Sequence, residues 1–148
     1  MKNSVVQLVF IVLALVLGGA LEDVLPAFGG LGFPVLLGVS VFLAATTGAP
    51  AWVLSALAAG GLEDGLMGLP PATSIVFFAA VAVAVRFFRE PVAWMLVAYP
   101  AYQIWLGLVS DGSAAVGRFL LSVPVGALTL AAAFALLSWV WGKVVADA

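Results

Sequence analysis

Residues 24–62, VLPAFGGLGFPVLLGVSVFLAATTGAPAWVLSALAAGGL, contain no charged side chain and carry Gly48-Ala49-Pro50 past their middle. The run is longer than the roughly 20 apolar residues that cross a bilayer. Proline lacks a backbone N–H and disfavours helix at the residue before it. The stretch therefore predicts two short helices, 33–47 and 50–62, joined by a tight bend. At 1.5 Å per residue the second reaches only about 20 Å. It must stand nearly upright, end at depth, or have its ends shielded by neighbours, because hydrocarbon offers the backbone no hydrogen-bond partner.

The flanking sequence has the same character. Charge-free runs cover 3–21, 65–85, 91–110 and 119–142, and they predict further helices at 4–21, 73–88, 91–109 and 118–141. Overall 66% of residues are hydrophobic and 8% are charged, whereas a soluble domain carries about a quarter as charged side chains. The expected class is an all-α integral membrane protein with six transmembrane helices, short second and third spans, and one transmembrane domain over 1–148. Lys2, the apolar stretch Val5 to Leu17 and Gly18-Gly19-Ala20 would also suit a signal peptide, but the further hydrophobic runs favour an uncleaved first span.

Charge placement sets the expected orientation. With six spans and a cytoplasmic N-terminus, Lys2, Arg86, Arg89 and Lys143 lie inside and only Arg118 lies outside, as the positive-inside rule asks. Reading 33–62 as one span would invert the later loops and spoil that split. Both termini are therefore expected in the cytoplasm.

The chain has no Cys and no His. That removes disulfides, thiol nucleophiles, imidazole bases and His or Cys metal sites. Five scattered basic residues make no nucleic-acid patch. No arrangement of Ser, Asp, Glu, Arg or Tyr matches an enzyme constellation, and no cofactor or metal is expected.

The most unusual element is Leu62-Glu63-Asp64-Gly65-Leu66-Met67-Gly68-Leu69-Pro70-Pro71, where two adjacent carboxylates interrupt apolar sequence. Ionisable groups near membrane depth are costly and tend to be paired or functional. A solvated turn explains Glu63; Asp64 is the better candidate for a sheltered role, hydrogen-bonded near the start of the 73–88 helix, with Arg118 the natural partner if either acid is buried. Gly19-Ala20-Leu21-Glu22-Asp23 echoes Gly60-Gly61-Leu62-Glu63-Asp64, a weak sign of a two-helix repeat. Small residues recur at four-residue intervals, at Ala51/Ser55/Ala59, Ala80/Ala84 and Ala127/Ala131/Ala135, and such rows let helix backbones approach in lipid. Internal packing or docking of a partner helix would each use them. Trp94, Tyr99, Tyr102, Gln103 and Trp105 give the fifth span an aromatic and polar character that fits an interfacial belt or a small-solute pocket. Trp139 and Trp141 with Lys143 read as an inner belt, and Arg86, Arg89 and Glu90 as a cytoplasmic anchor.

The element Ala59-Gly60-Gly61-Leu62-Glu63-Asp64-Gly65-Leu66, followed by Leu69-Pro70-Pro71 and a new apolar helix, resembles the bacterial rod shape-determining MreD family. There a G-L-x-x-D element precedes P-L-G and a helix; Pro70-Pro71-Ala72 stands in that place here. The resemblance matches Gly61 to the family's glycine and Asp64 to its acidic residue, with Pro70 opening the following segment. It implies a non-catalytic adaptor of the cell-elongation and peptidoglycan-synthesis machinery in the bacterial inner membrane. The partners it implies are a single-span MreC-like protein and, through it, the polymerase and transpeptidase pair. The six-helix plan also resembles the substrate-binding subunit of energy-coupling-factor transporters, which makes a vitamin or small-solute subunit the alternative.

Overall fold

The computed structural model describes residues 2–27, 31–110 and 116–144. These form an all-helical bundle of α1 (Lys2–Val24), α2 (Val35–Thr46), α3 (Ala51–Met67), α4 (Thr73–Phe88), α5 (Pro91–Ser110) and α6 (Val116–Val144). The bend expected at Gly48-Ala49-Pro50 separates α2 from α3. Pro91 opens α5, where a missing N–H costs nothing. Pro100 and Pro124 lie inside α5 and α6, each at the expense of one backbone bond.

One boundary differs from expectation in a way that matters. Helix α3 does not stop at residue 62 but continues to Met67, so Glu63 is helical and buried rather than part of a solvated turn, and Asp64 is sheltered as expected. Gly68 then adopts the left-handed conformation, φ 61°. The N–H groups of Gly68 and Leu69 both return to the carbonyl of Asp64, closing the helix end.

Helix α2 is the axis of the bundle. It has twelve residues, every one from Val35 to Ala44 is buried, and it touches all five other helices. A helix apolar on all sides is stable only when surrounded. Phe42 packs against Phe10 of α1 and against Phe134 and Trp141 of α6, with ring centroids 5.3 to 6.3 Å apart. Trp141 therefore belongs to the core and not to an interfacial belt. Trp139 remains exposed, with the Lys143 ammonium 4.4 Å from its ring centroid.

Outside this core the surface is apolar. Helix α1 exposes Val5, Leu8, Val9, Val12, Leu13, Val16 and Leu17 along its length, and contiguous apolar surface on that scale marks contact with lipid or protein. Among the described residues three helices are long and apolar enough to cross a membrane: Ser4–Val24, Val92–Val109 and Arg118–Val144.

Close backbone approach holds the outer helices together. A Cβ on Gly60 would stand 2.5 Å from Ile75 Cα and 2.7 Å from Ile75 N, so α3 and α4 meet backbone to backbone. A Cβ on Gly126 would stand 2.6 Å from Cβ of Tyr99, at the α5–α6 contact. Gly61, matched above to the MreD glycine, is half-buried, and its Cβ would meet only Ile75 Cδ1 at 3.8 Å. The close approach thus falls one residue earlier. Gly60→Ala is expected to destabilise the bundle by about 1–3 kcal/mol through overpacking. Gly65→Ala, where a Cβ meets nothing within 4 Å, should be neutral or stabilising. Thermal unfolding in mild detergent measures both; equal effects would refute the contact.

Candidate functional site

The end of the bundle where α1, α3 and α5 finish and α2 and α4 begin holds a buried polar cluster. Its logic starts from helix termini, whose first N–H groups have no intrahelical partner. Neither α2 nor α4 caps itself with a side chain. Instead Glu22 at the end of α1 accepts a hydrogen bond from the Leu36 N–H at 2.7 Å, and Asp64 near the end of α3 accepts one from the Ser74 N–H at 2.7 Å. Each carboxylate also sits at the positive end of the next helix's dipole. Asp64 is 7% exposed and Glu63 3% exposed.

Helix α5 closes the cluster. The Tyr102 hydroxyl lies 2.5 Å from Ser74 Oγ and donates to Glu63 Oε1 at 3.4 Å. The Tyr99 hydroxyl donates to the Gly32 carbonyl at 2.7 Å and also bonds the Gln103 side chain. Trp105 Nε1 donates to the Thr73 carbonyl at 2.9 Å, and Thr73 Oγ1 to that of Pro70 at 2.8 Å. Tyr102 is thus a buried tie from α5 to α3 and α4, and Tyr99 one from α5 to the segment before α2, and neither belongs to an interfacial belt. Pro70 is exposed in the connecting turn and contributes its carbonyl, which also accepts from the Thr73 N–H.

Glu22 and Glu63 come together from the two echoing segments, their side chains within hydrogen-bonding reach. Contact between two carboxyl groups is attractive only when one of them carries a proton. Glu63 Oε2 and Asp64 Oδ2 are buried and accept no hydrogen bond from a donor group. Arg118 does not fill that vacancy. Its side chain is exposed at the start of α6 and acts electrostatically on the Tyr99 hydroxyl. Asp64 is thus sheltered and hydrogen-bonded at the start of α4, as expected, with the Ser74 N–H as its partner.

Glu22 and Ser74 also belong to the cluster, and neither is a site candidate in the sequence, whereas Tyr102 stands out there only as part of the aromatic fifth span. The Gly-x-Leu-Glu-Asp echo was the available signal for Glu22. It places equivalent residues side by side, but the capping role falls on the fourth position of the first segment and the fifth of the second. The row Ala127, Ala131 and Ala135 lies elsewhere, on α6, with Ala127 half-buried and Ala131 and Ala135 exposed. By contrast Ser55 and Ala59 are buried against the interior. Among the described residues no group of three His, Cys, Asp or Glu is arranged to hold a metal ion.

Asp64→Ala leaves the Ser74 N–H unpaired in a buried site and is expected to cost about 1–2 kcal/mol. Asp64→Asn keeps an acceptor and should lose less. Glu63→Gln supplies an amide donor toward Glu22 and should be close to neutral. The ranking is read from thermal unfolding of the purified variants, and equal losses across the three would refute the capping role. Comparison with family models, with curated proteins and with solved structures finds no match.

Proposed function

We propose that this chain is a non-catalytic adaptor of a bacterial inner membrane, spanning it six times with both termini in the cytoplasm and docking other membrane helices. The observation that carries the reading is the α6 face on which Ala131 and Ala135 are exposed beside Leu128, Leu136 and Trp139. Small residues on a lipid-facing surface give little contact to lipid, yet they admit a second backbone closely. The MreD-like element around Gly61, Asp64 and Pro70 supports a role in rod-shaped cell elongation, with a single-span MreC-like protein as the docked partner. In the bundle that element joins α3 to α4 and gives the adaptor its shape, while the partner meets α6.

The competing solute-binding reading draws on the same fifth helix, but its polar groups are engaged with one another. Tyr102 bonds Ser74 and Glu63, Tyr99 bonds Gly32 and Gln103, and Trp105 bonds Thr73. Little is left to recognise a polar solute, which favours the adaptor.

The Lys/Arg split supports the topology. Reporter fusions after Ala27, Arg89 and Val144 are expected to report outside, inside and inside; an outside signal after Val144 overturns it. For function, Ala131→Phe should leave thermal stability unchanged, since the side chain points away from the core, yet abolish copurification of the partner in mild detergent. In the native host, depletion should round the cells, and wild type but not Ala131→Phe should restore rods. Cells that keep their shape on depletion, or a purified protein that retains a stoichiometric vitamin-sized ligand, would overturn the adaptor reading.

A further inference from the structure

The opposite end of the bundle carries a different kind of feature. A cavity of about 490 Å³ opens between the C-terminal ends of α2 and α4 and the flank of α6, lined by Ala45, Thr46, Val85, Arg86, Arg89 and Phe134. Its volume lies within the range of small-molecule sites. Two arginines line one space, with Thr46 beside them and Ala45, Val85 and Phe134 as its apolar wall.

Arg86 is held in place. Its Nη1 donates to the carbonyls of Thr47 at 3.1 Å and Ala44 at 3.4 Å, closing the C-terminal end of α2, and its guanidinium stands 5.9 Å from the Trp52 ring centroid. A guanidinium has five N–H donors in a rigid fork, so Nε and Nη2 remain for another acceptor. Arg89 ends α4 in the left-handed conformation, φ 50°, and its exposed side chain has no partner among the described residues. Glu90 follows it in the chain but does not line the cavity.

The α2 carbonyls account for one nitrogen of Arg86 and for nothing of Arg89. A second arginine is therefore left over in a cavity that Val85 and Phe134 also line. Guanidinium forks match phosphate oxygens in geometry and charge. A ligand that presents a phosphate to two arginines and hydrocarbon to Val85 and Phe134 is an amphiphile. We infer that this cavity binds the phosphate oxyanion of an anionic phospholipid headgroup, with Arg86 and Arg89 as donors and Val85 and Phe134 against the adjoining glycerol and acyl carbons. Free phosphate shares the oxyanion but makes no use of the apolar wall. The site stands independently of the docking role assigned to α6.

Native mass spectrometry of the full chain in mild detergent tests it, with phosphatidylglycerol and phosphatidylcholine of identical acyl chains supplied in turn. Retention of phosphatidylglycerol is expected to exceed that of phosphatidylcholine by about fivefold or more, the scale set by a basic residue against an anionic headgroup. Arg89→Asn, which suits the left-handed backbone and breaks no described contact, should reduce the two lipids to near parity without changing thermal stability. Arg86→Lys, which keeps the charge and loses the fork, should retain part of the preference. Excess inorganic phosphate should leave the bound lipid in place. Equal retention of the two lipids by the unaltered chain, an undiminished preference in Arg89→Asn, or displacement by inorganic phosphate would each overturn the assignment.

Discussion

Helix α2 starts inside the bundle, where its first residues are buried and the N–H groups of its first turn need partners. The rest of the architecture depends on that constraint. Glu22 reaches from the end of α1 to satisfy the Leu36 N–H, and Asp64 does the same for Ser74 at the head of α4. In a low-dielectric setting such a hydrogen bond is worth more, and its absence costs more, than in water. The two carboxylates therefore act as couplings between successive helices. At the opposite end Arg86 performs the complementary task on the α2 carbonyls. A twelve-residue helix is about 18 Å long and falls well short of a bilayer's roughly 30 Å core. It is tolerated because side chains of neighbouring helices close both of its ends.

Packing then follows from small residues and rings. Gly60 and Gly126 bring α3 to α4 and α5 to α6. The rings of Phe10, Phe42, Phe134 and Trp141 fill the space around α2 at that helix's other end. Dispersion contacts of this kind carry helix association where lipid removes the hydrophobic drive. The interior is thus divided lengthwise, with a polar, hydrogen-bonded end around Tyr102 and an aromatic end around Phe42. Surface chemistry follows the same division, since the exposed alanines of α6 and the leftover arginine of α4 both lie apart from the polar cluster.

The amino-acid sequence determined the helical class and the helix count directly, because charge spacing, Pro50 and Pro91 mark where a helix in hydrocarbon must end or begin. It also marked the Glu63-Asp64 segment as unusual, since two carboxylates in apolar sequence are costly without partners. Only the tertiary structure decided what those partners are. Asp64 meets an N–H ten residues on, Glu63 meets Glu22 and Tyr102 across three helices, and Arg118 stays at the surface. A four-residue spacing shows equally in Ser55/Ala59 and Ala131/Ala135, yet the first pair is buried and the second exposed. The physical reason is that periodicity defines a helix face but not its neighbour. In a chain apolar on nearly every face, no hydrophobic contrast reveals which side turns inward, so burial is assigned only when the helices pack.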